Sequence, residues 1–419
     1  MNVLLRSAVI VDTTNPKLHL KKRDILIKDG IIDRIAAKIE NYGNSKIIEL
    51  PNLHISAGWF DSSVSFGEPG FEERETIAHG LRVVARSGFT DIVLNSNTNP
   101  IPDSSGDIVF LINRNNGQAA HLYPLGAVTV KSQGKELAEL YDMRNAGAVG
   151  FYDYKNPLEN SSLLKIALQY AQVFKGLVFS FPMDSQIAQN GIVNEGDVST
   201  ALGLRGIPAL AEELQIARDL FILEYTEGAL HIPTLSTARS VELIRNAKKK
   251  GLDVTCSVAV HNLWFTDKIL EGFDSNTKVL PPLRGKKDVE ALRKGLKDGT
   301  IDFVTSDHTP INIEEKRIEF DNASFGTIGI ENSFGILNQI YDTPTVIEVL
   351  TRGRERFGIE GAAIAEGLPA CIALFDPDPV YELNASAIQS TSKNSMFVGQ
   401  SLKGRAFGIY ARKQLIIQQ

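Results

Sequence analysis

Hydrophobic and polar positions alternate with a period of two at both ends of the chain, a pattern typical of β-strands. Residues 23–28 and 31–35 are two such runs, and the Asp29-Gly30 pair between them is a hairpin turn signal. Three further strands are predicted near the other end, at residues 370–375, 405–410 and 414–417. Neither end has enough apolar surface to fold alone, so the pattern predicts that both ends join in one small β-sandwich.

Between these ends, short apolar runs alternate with segments of helical periodicity. Eight strands are predicted, at residues 54–60, 91–94, 121–128, 149–153, 177–181, 230–235, 254–260 and 302–306. Eight strands with intervening helices are the repeat of the (β/α)8 TIM barrel, so the fold class is α/β. The predicted domains are a composite β-sandwich of residues 1–54 and 359–419 and a barrel of residues 55–358.

Length, charge and composition argue against several classes of protein. The chain has 419 residues, 43% hydrophobic and 22% charged, and its net charge is −6. The longest basic run is Lys248-Lys249-Lys250, which argues against nucleic acid as the main partner. Only Cys256 and Cys371 are present, no apolar run approaches ~20 residues, and the start lacks a signal-peptide pattern. The sequence therefore predicts a cytoplasmic protein without disulfides or a membrane partner.

Reactive groups of such barrels follow the C-terminal ends of the strands. The residues found there are Ser63 and Ser65, Asn95 to Thr98, Asp153, Phe181, Thr234, His261 with Asn262, and Asp307 with His308. Asp307-His308 is the best chemical candidate, because a carboxylate beside an imidazole can serve as a general base next to a substrate-binding group. The structural alternative is that Asp307 caps a turn and His308 fills a gap. His231 lies lower in its strand and is predicted to be a core or helix-facing residue.

Several ordered motifs carry a family resemblance. They are Asp-Ser-Ser-Val-Ser-Phe-Gly-Glu-Pro-Gly at 61–70, the Asn97 loop at 97–103, Asn-Glu-Gly at 194–196, residues 236–240, Pro-Pro-Leu-Arg at 281–284, Asp307-His308, and residues 366–370 and 375–378. In this order they resemble the dihydroorotases of the amidohydrolase superfamily over nearly the whole chain. The resemblance implies a metal-dependent (β/α)8 barrel with a terminal β-sandwich and a role in pyrimidine biosynthesis.

The resemblance also implies where the family's functional residues fall. Its metal-ligand positions are occupied by Ser63, Ser65, Asp153, Phe181, Thr234 and Asp307. Asp307 matches the catalytic aspartate, and Asn97 and His308 match substrate-binding residues. The substrate arginine falls on Gly67, and the asparagine before Pro-Pro-Leu-Arg falls on Leu280.

This substitution pattern predicts a protein without its family's zinc. A catalytic zinc takes three nitrogen, sulfur or carboxylate ligands plus water, and serine, threonine and phenylalanine do not supply them. Without a metal, no water is acidified to hydroxide near neutral pH. Asp153 and Asp307 are then expected to face each other across a pocket, with one of them protonated or paired and Lys155 a candidate neutralising partner.

Three functions remain open at this point. The first is an inactive dihydroorotase homologue that assembles with aspartate transcarbamoylase and with copies of itself, since the resemblance implies that some family members are inactive partners of that enzyme. The second is an active, zinc-dependent cyclic amidohydrolase with unconventional ligands. The third is a metal-free, dihydropyrimidinase-like structural protein. The Asn97 loop and the Pro-Pro-Leu-Arg segment favour dihydroorotase over dihydropyrimidinase ancestry.

Overall fold

The computed structural model of the protein describes residues 2–40 and 45–418. The first half contains β1 Val3–Ile10, β2 Lys21–Lys28, β3 Ile31–Ala36, β4 Lys46–Ile48, β5 His54–Ala57, β6 Trp59–Val64, α1 Ile77–Arg86, β7 Phe89–Leu94, α2 Ser105–Arg114, β8 His121–Pro124, α3 Leu140–Ala146, α4 Ser161–Gln172, β9 Val178–Phe179, α5 Ser185–Ala188, β10 Val193–Asn194, α6 Asp197–Leu202 and β11 Gly206–Ile207. The second half contains α7 Ala209–Thr226, β12 Leu230–Ile232, α8 Ala238–Lys249, β13 Val254–Ala259, α9 Val260–Trp264, α10 Lys286–Lys297, β14 Phe303–Thr305, α11 Ile313–Lys316, α12 Ser333–Ile340, α13 Thr343–Thr351, β15 Ile372–Glu382, β16 Ser401–Ala411 and β17 Gln414–Ile417.

Both ends of the chain were predicted to join in one small β-sandwich, and their union in one β-rich domain is confirmed. Strands β17, β16, β15, β5, β1, β2 and β3 follow one another in a single sheet, and β4 pairs with β1. The hairpin turn between β2 and β3 has Asp29 at φ 49° and Gly30 at φ 90°, the two positive φ angles that a tight hairpin of this kind requires. Buried apolar residues of β1, β2, β5 and β15 form a core of their own under this sheet.

The predicted (β/α)8 barrel is also confirmed. Its strands form two sheets, β6-β7-β8 and β9-β12-β13-β14. A bridge position at Phe151, paired with both Gly126 and Val178, joins them on one side. The pairing of Val64 with His308 closes the other side. The predicted fourth strand is thus present only as the bridge at Phe151.

The predicted first barrel strand over 54–60 is wrong in its first half. Residues His54–Ala57 pair with β1 and β15 in the terminal sheet, and the barrel strand starts at Trp59. Gly58 separates the two, and a Cβ at this position would lie 2.3 Å from the Thr90 side chain. Apolar residues predominate on both sides of Gly58, so the sequence pattern carries little sign of the change of sheet.

A buried ion-pair network joins the terminal sheet to the barrel. Asp91 of β7 contacts Arg354 and Arg412 at 3.0 Å each, and Arg412 lies in the turn between β16 and β17. Burial alone raises the pKa of the Asp91 carboxyl, but the two guanidinium charges outweigh it and hold the pKa below its usual value. Among the described residues, no helix combines the length and the apolar character needed to cross a membrane.

Candidate functional site

The barrel strands bring the predicted serines and Asp307 together at their C-terminal ends. Asn95 follows β7, and its side-chain amide donates hydrogen bonds to the hydroxyls of Ser63 and Ser65 at 3.1 Å each. The Ser63 hydroxyl lies 3.3 Å from Asp307 Oδ1, toward which it donates. These side chains are almost completely buried. The positions that the family resemblance gives to a histidine pair are therefore occupied by a hydrogen-bonded polar cluster.

Lys155 completes this cluster, which we call the mouth cluster: Ser63, Ser65, Asn95, Lys155 and Asp307. The Lys155 ammonium lies 2.8 Å from Asp307 Oδ2, and only 11% of its side chain is exposed. Burial alone would lower the pKa of Lys155, but the charge of Asp307 outweighs it and raises this pKa above its usual value. The predicted pairing of Asp307 with Lys155 is confirmed, and the site keeps a fixed internal cation.

Asp153 does not face Asp307, and this part of the prediction is wrong. Its Oδ1 accepts hydrogen bonds from the backbone amides of Val128 and Thr129 at 2.8 and 3.0 Å, and its Oδ2 accepts one from the Thr129 hydroxyl. The carboxylate thus holds the loop after β8. Burial raises the pKa of the Asp153 carboxyl above its usual value, although these hydrogen bonds act in the opposite direction.

The remaining metal-ligand positions hold side chains of other kinds. Phe181 is 1% exposed and lines, together with Leu280 and Pro281, a slot of about 10 Å³. Thr234 is buried, has a φ of 52°, and its hydroxyl has no hydrogen-bond partner. A slot of this size has no room for a cyclic substrate, since small-molecule sites usually measure ~300–1,000 Å³.

These residues do not fit the zinc that the family resemblance implies. Within residues 2–40 and 45–418, no three histidine, cysteine, aspartate or glutamate side chains come close enough to hold a metal ion together. Of the two carboxylates at the ligand positions, Asp153 accepts from a loop and Asp307 accepts from an ammonium. The donor set lacks the three ligands of a catalytic zinc.

Of the predicted substrate-binding residues, His308 is buried and Asn97 is partly exposed. The Asn97 Oδ1 atom has no hydrogen-bond partner. The Nδ1 atom of His308 accepts from the Gly329 amide at 3.3 Å, and burial lowers the pKa of His308 to about 3. His308 is therefore a neutral imidazole at physiological pH. Its contacts agree with a residue that fills a gap, whereas its role toward a substrate stays a prediction.

His261 is a further imidazole at the mouth. Both of its ring nitrogens are buried without a hydrogen-bond partner. Burial and the nearby Lys155 charge lower the pKa of His261 to about 3. The sequence placed this residue at a strand end, and the structure places it at the start of α9.

A second buried network uses motifs to which the sequence assigned no role. The Arg284 guanidinium donates to Asn194 Oδ1 at 2.9 Å, to the Ile207 carbonyl at 2.6 Å and to the Ser236 hydroxyl at 3.1 Å. Glu212 accepts in turn from the Ser236 amide at 2.9 Å. Three of the family-like motifs therefore meet at one point beside the mouth and hold its loops to α7.

His231 lies in the barrel interior, as the sequence predicted for a core histidine. Its ring stacks on Phe303 at a centroid distance of 5.1 Å and meets the edge of Phe179 at 4.7 Å. Burial lowers the pKa of His231 well below its usual value. The imidazole is thus neutral in the folded protein.

This burial predicts a pH effect for His231→Phe. Unfolded histidine titrates near 6.5, so acid adds a proton to the unfolded state first and the stability that neutral His231 supplies is lost as the pH falls below ~6.5. Between pH 8 and pH 5 the wild type should lose about 2 kcal/mol more than the variant. Urea denaturation at both pH values measures this difference. Equal pH dependence of the two proteins would contradict the assignment.

Comparisons with known proteins agree with this architecture. Residues 54–240 match the family model described as dihydro-orotase-like. A dihydroorotase of Pelotomaculum thermopropionicum is 38% identical over 100% of this chain and 99% of its own length. A dihydroorotase of Ruminiclostridium cellulolyticum is 37% identical over 97% of this chain and 96% of its own length. The chain belongs to the dihydroorotase family.

Solved structures support the same fold. The L-hydantoinase (dihydropyrimidinase) of Arthrobacter aurescens superposes with a TM-score of 0.86 at 21% identity, over 99% of this chain and 96% of that chain. The dihydropyrimidinase of Brevibacillus agri superposes with a TM-score of 0.82 at 20% identity, over 100% and 95% of the two chains. This dihydroorotase-family chain thus shares its fold with both structures over nearly its whole length.

Proposed function

We propose that the chain is a cytoplasmic, dihydroorotase-like protein of pyrimidine biosynthesis that does not hydrolyse dihydroorotate and acts as a structural partner of aspartate transcarbamoylase. The observation that carries this proposal is the 2.8 Å ion pair between Lys155 and Asp307. By the family resemblance Asp307 is the catalytic carboxylate, and here its charge is satisfied by a buried ammonium.

Loss of turnover follows from the chemistry of the mouth cluster. Hydrolysis of a stable cyclic amide needs an activated water, and the donors at the mouth do not fit the zinc that would supply it. Asp307 also accepts hydrogen bonds from Lys155 and Ser63, so a water would have to displace one of these donors before Asp307 could take its proton. We therefore expect this chain to bind no catalytic zinc. Elemental analysis of the purified chain should find well under one zinc per chain.

A structural role is supported by what the chain retains. The buried Arg284 network, the Asp91 ion pairs and the closed barrel keep the scaffold intact while the ligand positions differ. A folded barrel can present a stable interface without any turnover. The partner itself is proposed from the family resemblance, in which inactive members assemble with aspartate transcarbamoylase.

Co-expression tests both parts of the proposal. The chain and the aspartate transcarbamoylase of the same organism should co-elute from size exclusion in low and in moderate salt. The purified chain, with and without added zinc, should show no dihydroorotate hydrolysis above the uncatalysed rate, with an active dihydroorotase as the assay control. Failure to co-elute at every salt concentration refutes the partnership, and measurable hydrolysis refutes the inactivity.

Restoring the four missing histidines should not restore activity. In the variant Ser63→His/Ser65→His/Phe181→His/Thr234→His, Lys155 still pairs with Asp307, and Gly67 and Leu280 still give the substrate carboxylate no partner. We expect hydrolysis to stay at the background rate even if zinc content rises. Recovery of turnover in this variant would show that the four positions alone account for the loss.

A further inference from the structure

A crevice separates the terminal sheet from the barrel, at the end of the barrel where β7 begins. Its volume is about 750 Å³, and residues of both domains line it. Small-molecule sites usually measure ~300–1,000 Å³ and often lie between two domains. The crevice therefore has the size and the position of a ligand site, and it lies apart from the mouth cluster.

The walls of the crevice are largely apolar. One wall is segment 358–363, which links the barrel to the terminal sheet and is glycine or alanine at four of its six positions. At the rim, Ile31 and Leu368 are 39% and 42% exposed. These two residues lie close together, because the Ile32 amide donates to the Leu368 carbonyl at 2.9 Å. The crevice thus offers an apolar surface to the body of a ligand.

The inner end of the crevice carries one positive charge in excess. Asp91 and Arg412 line this end, and Asp91 also pairs with Arg354 behind it. Within residues 2–40 and 45–418, neither guanidinium contacts a second carboxylate. The side chains of Arg354 and Asp91 are 3% and 7% exposed, so water and salt screen this excess charge poorly.

The charged groups at the rim of the crevice are in a different environment. Asp29, Glu360 and Lys413 line the rim and are exposed to solvent. Their charges are therefore screened strongly, whereas the charge at the inner end is not. An anion that enters the crevice meets the excess positive charge after it has passed the rim.

Arg412 and Tyr123 supply hydrogen-bond donors that the fold does not use. The Arg412 guanidinium donates to the carbonyls of Thr90 and Ala119 and to Asp91, which leaves two of its five N–H groups free. Tyr123 also lines the crevice, and its hydroxyl has no hydrogen-bond partner in the described part of the chain. Burial and the Asp91 charge raise the pKa of Tyr123 to about 12, so this hydroxyl stays protonated and can donate.

We propose that this crevice binds a small organic monocarboxylate with an apolar body. The carboxylate accepts hydrogen bonds from Arg412 and Tyr123, and the apolar body packs on Ile31 and Leu368. One carboxylate supplies the single negative charge that the inner end lacks, whereas a phosphate group would bring nearly two. This site needs neither the mouth cluster nor aspartate transcarbamoylase, so it goes beyond the proposed function and stands independently of it.

Fluorine NMR of 4-fluorobenzoate, titrated with the purified full-length chain, tests the site. This probe joins one carboxylate to an apolar ring, and we expect a Kd on the order of 1 mM for a ligand of this size. The neutral amide 4-fluorobenzamide has nearly the same shape and serves as the matched control ligand. It should bind at least about 10-fold more weakly, because it brings no charge to the inner end.

Three substitutions place the probe in the crevice. Arg412→Gln should weaken the binding of 4-fluorobenzoate at least about 10-fold, and Tyr123→Phe about 3–10-fold. Ala363→Leu narrows the crevice at an exposed residue and should weaken binding at least about 10-fold. The control variant is Arg82→Gln, which removes an exposed guanidinium of α1 outside the crevice and should bind as the wild type does.

Four results would overturn the proposal. The first is a wild type that does not bind 4-fluorobenzoate at ~10 mM, well above the expected Kd. The second is equal binding of 4-fluorobenzamide, and the third is an affinity loss in Arg82→Gln as large as that in Arg412→Gln. The fourth is a wild-type Kd in both Tyr123→Phe and Ala363→Leu. These two variants leave the Asp91 ion pairs intact, so they decide the question even if Arg412→Gln does not fold.

Discussion

Replacing Lys155 with methionine should destabilise the folded protein by about 3–5 kcal/mol at pH 8, because it leaves a buried carboxylate without its cation. Asp307 is 2% exposed and would keep only the Ser63 hydroxyl as a polar partner. Urea denaturation of Lys155→Met against the wild type measures the loss. The result decides whether the ammonium holds the mouth cluster together or only lies close to it.

The pH dependence and a second substitution sharpen this test. Without Lys155, burial raises the pKa of Asp307 further, so the folded variant takes up a proton more readily and its deficit should shrink between pH 8 and pH 5. The double variant Lys155→Met/Asp307→Asn removes both charges and should recover most of the lost stability. The matched control is Lys250→Met, whose pair with Glu224 is 56% and 44% exposed and should contribute less than about 1 kcal/mol. If Lys155→Met costs no more than Lys250→Met, the buried pair has no special role.

Gly67→Ala should destabilise the protein by about 3 kcal/mol or more, since even one methyl group finds no space. A Cβ on Gly67 would lie 1.7 Å from the Phe71 carbonyl oxygen and 2.6 Å from its carbon. The turn cannot open easily, because the Phe71 amide donates to the Gly67 carbonyl and the Gly67 amide donates to the Glu75 carbonyl, both at 2.8 Å. Gly67→Arg, which places the family's substrate arginine, should fail to give folded soluble protein.

The control for this prediction is Gly106→Ala in α2. Its Cβ would meet nothing closer than the Ser104 hydroxyl at 3.8 Å, so the variant should be as stable as the wild type or more stable by up to ~1 kcal/mol. Thermal unfolding of both variants measures the contrast. If Gly67→Ala unfolds at the wild-type temperature, the turn adapts to a side chain, and position 67 would no longer explain the absence of a substrate-binding arginine.

The side chains at the mouth and the intact scaffold both support the proposed structural role of the chain. The Arg284 network joins three segments of family-like sequence, while the ligand positions Ser63, Phe181 and Thr234 hold groups unsuited to zinc. Relatives that are 38% and 37% identical over nearly full length place the chain in the dihydroorotase family. The chain therefore keeps the family architecture, and the proposed loss of hydrolysis rests on the side chains at the positions that the resemblance gives to the metal ligands.

The sequence by itself determined the fold class and the location of the site. Period-two runs at both ends and the alternation of eight strands with helices are local sequence patterns. The order of apolar and polar residues along the chain is therefore enough to predict the β-rich domain and the barrel. The position of Ser63, Ser65 and Asp307 at strand ends followed from the same patterns, since parallel strands end on one side of a barrel. The break at Gly58 was missed, because two mostly apolar strands follow each other with a single residue between them.

Only the tertiary structure decided which groups meet. The Lys155–Asp307 pair joins residues far apart in the chain, and sequence could name Lys155 only as one candidate partner. The Asp153 carboxylate accepts hydrogen bonds from the amides of residues 128 and 129. This contact depends on the path of a loop, and the loop sequence has no hydrophobic periodicity from which that path could be predicted. The crowding at Gly67 and the burial of Asp307 depend on backbone approach and on solvent exposure. These are properties of the packed chain, because the distance between two side chains depends on how all the elements between them fold.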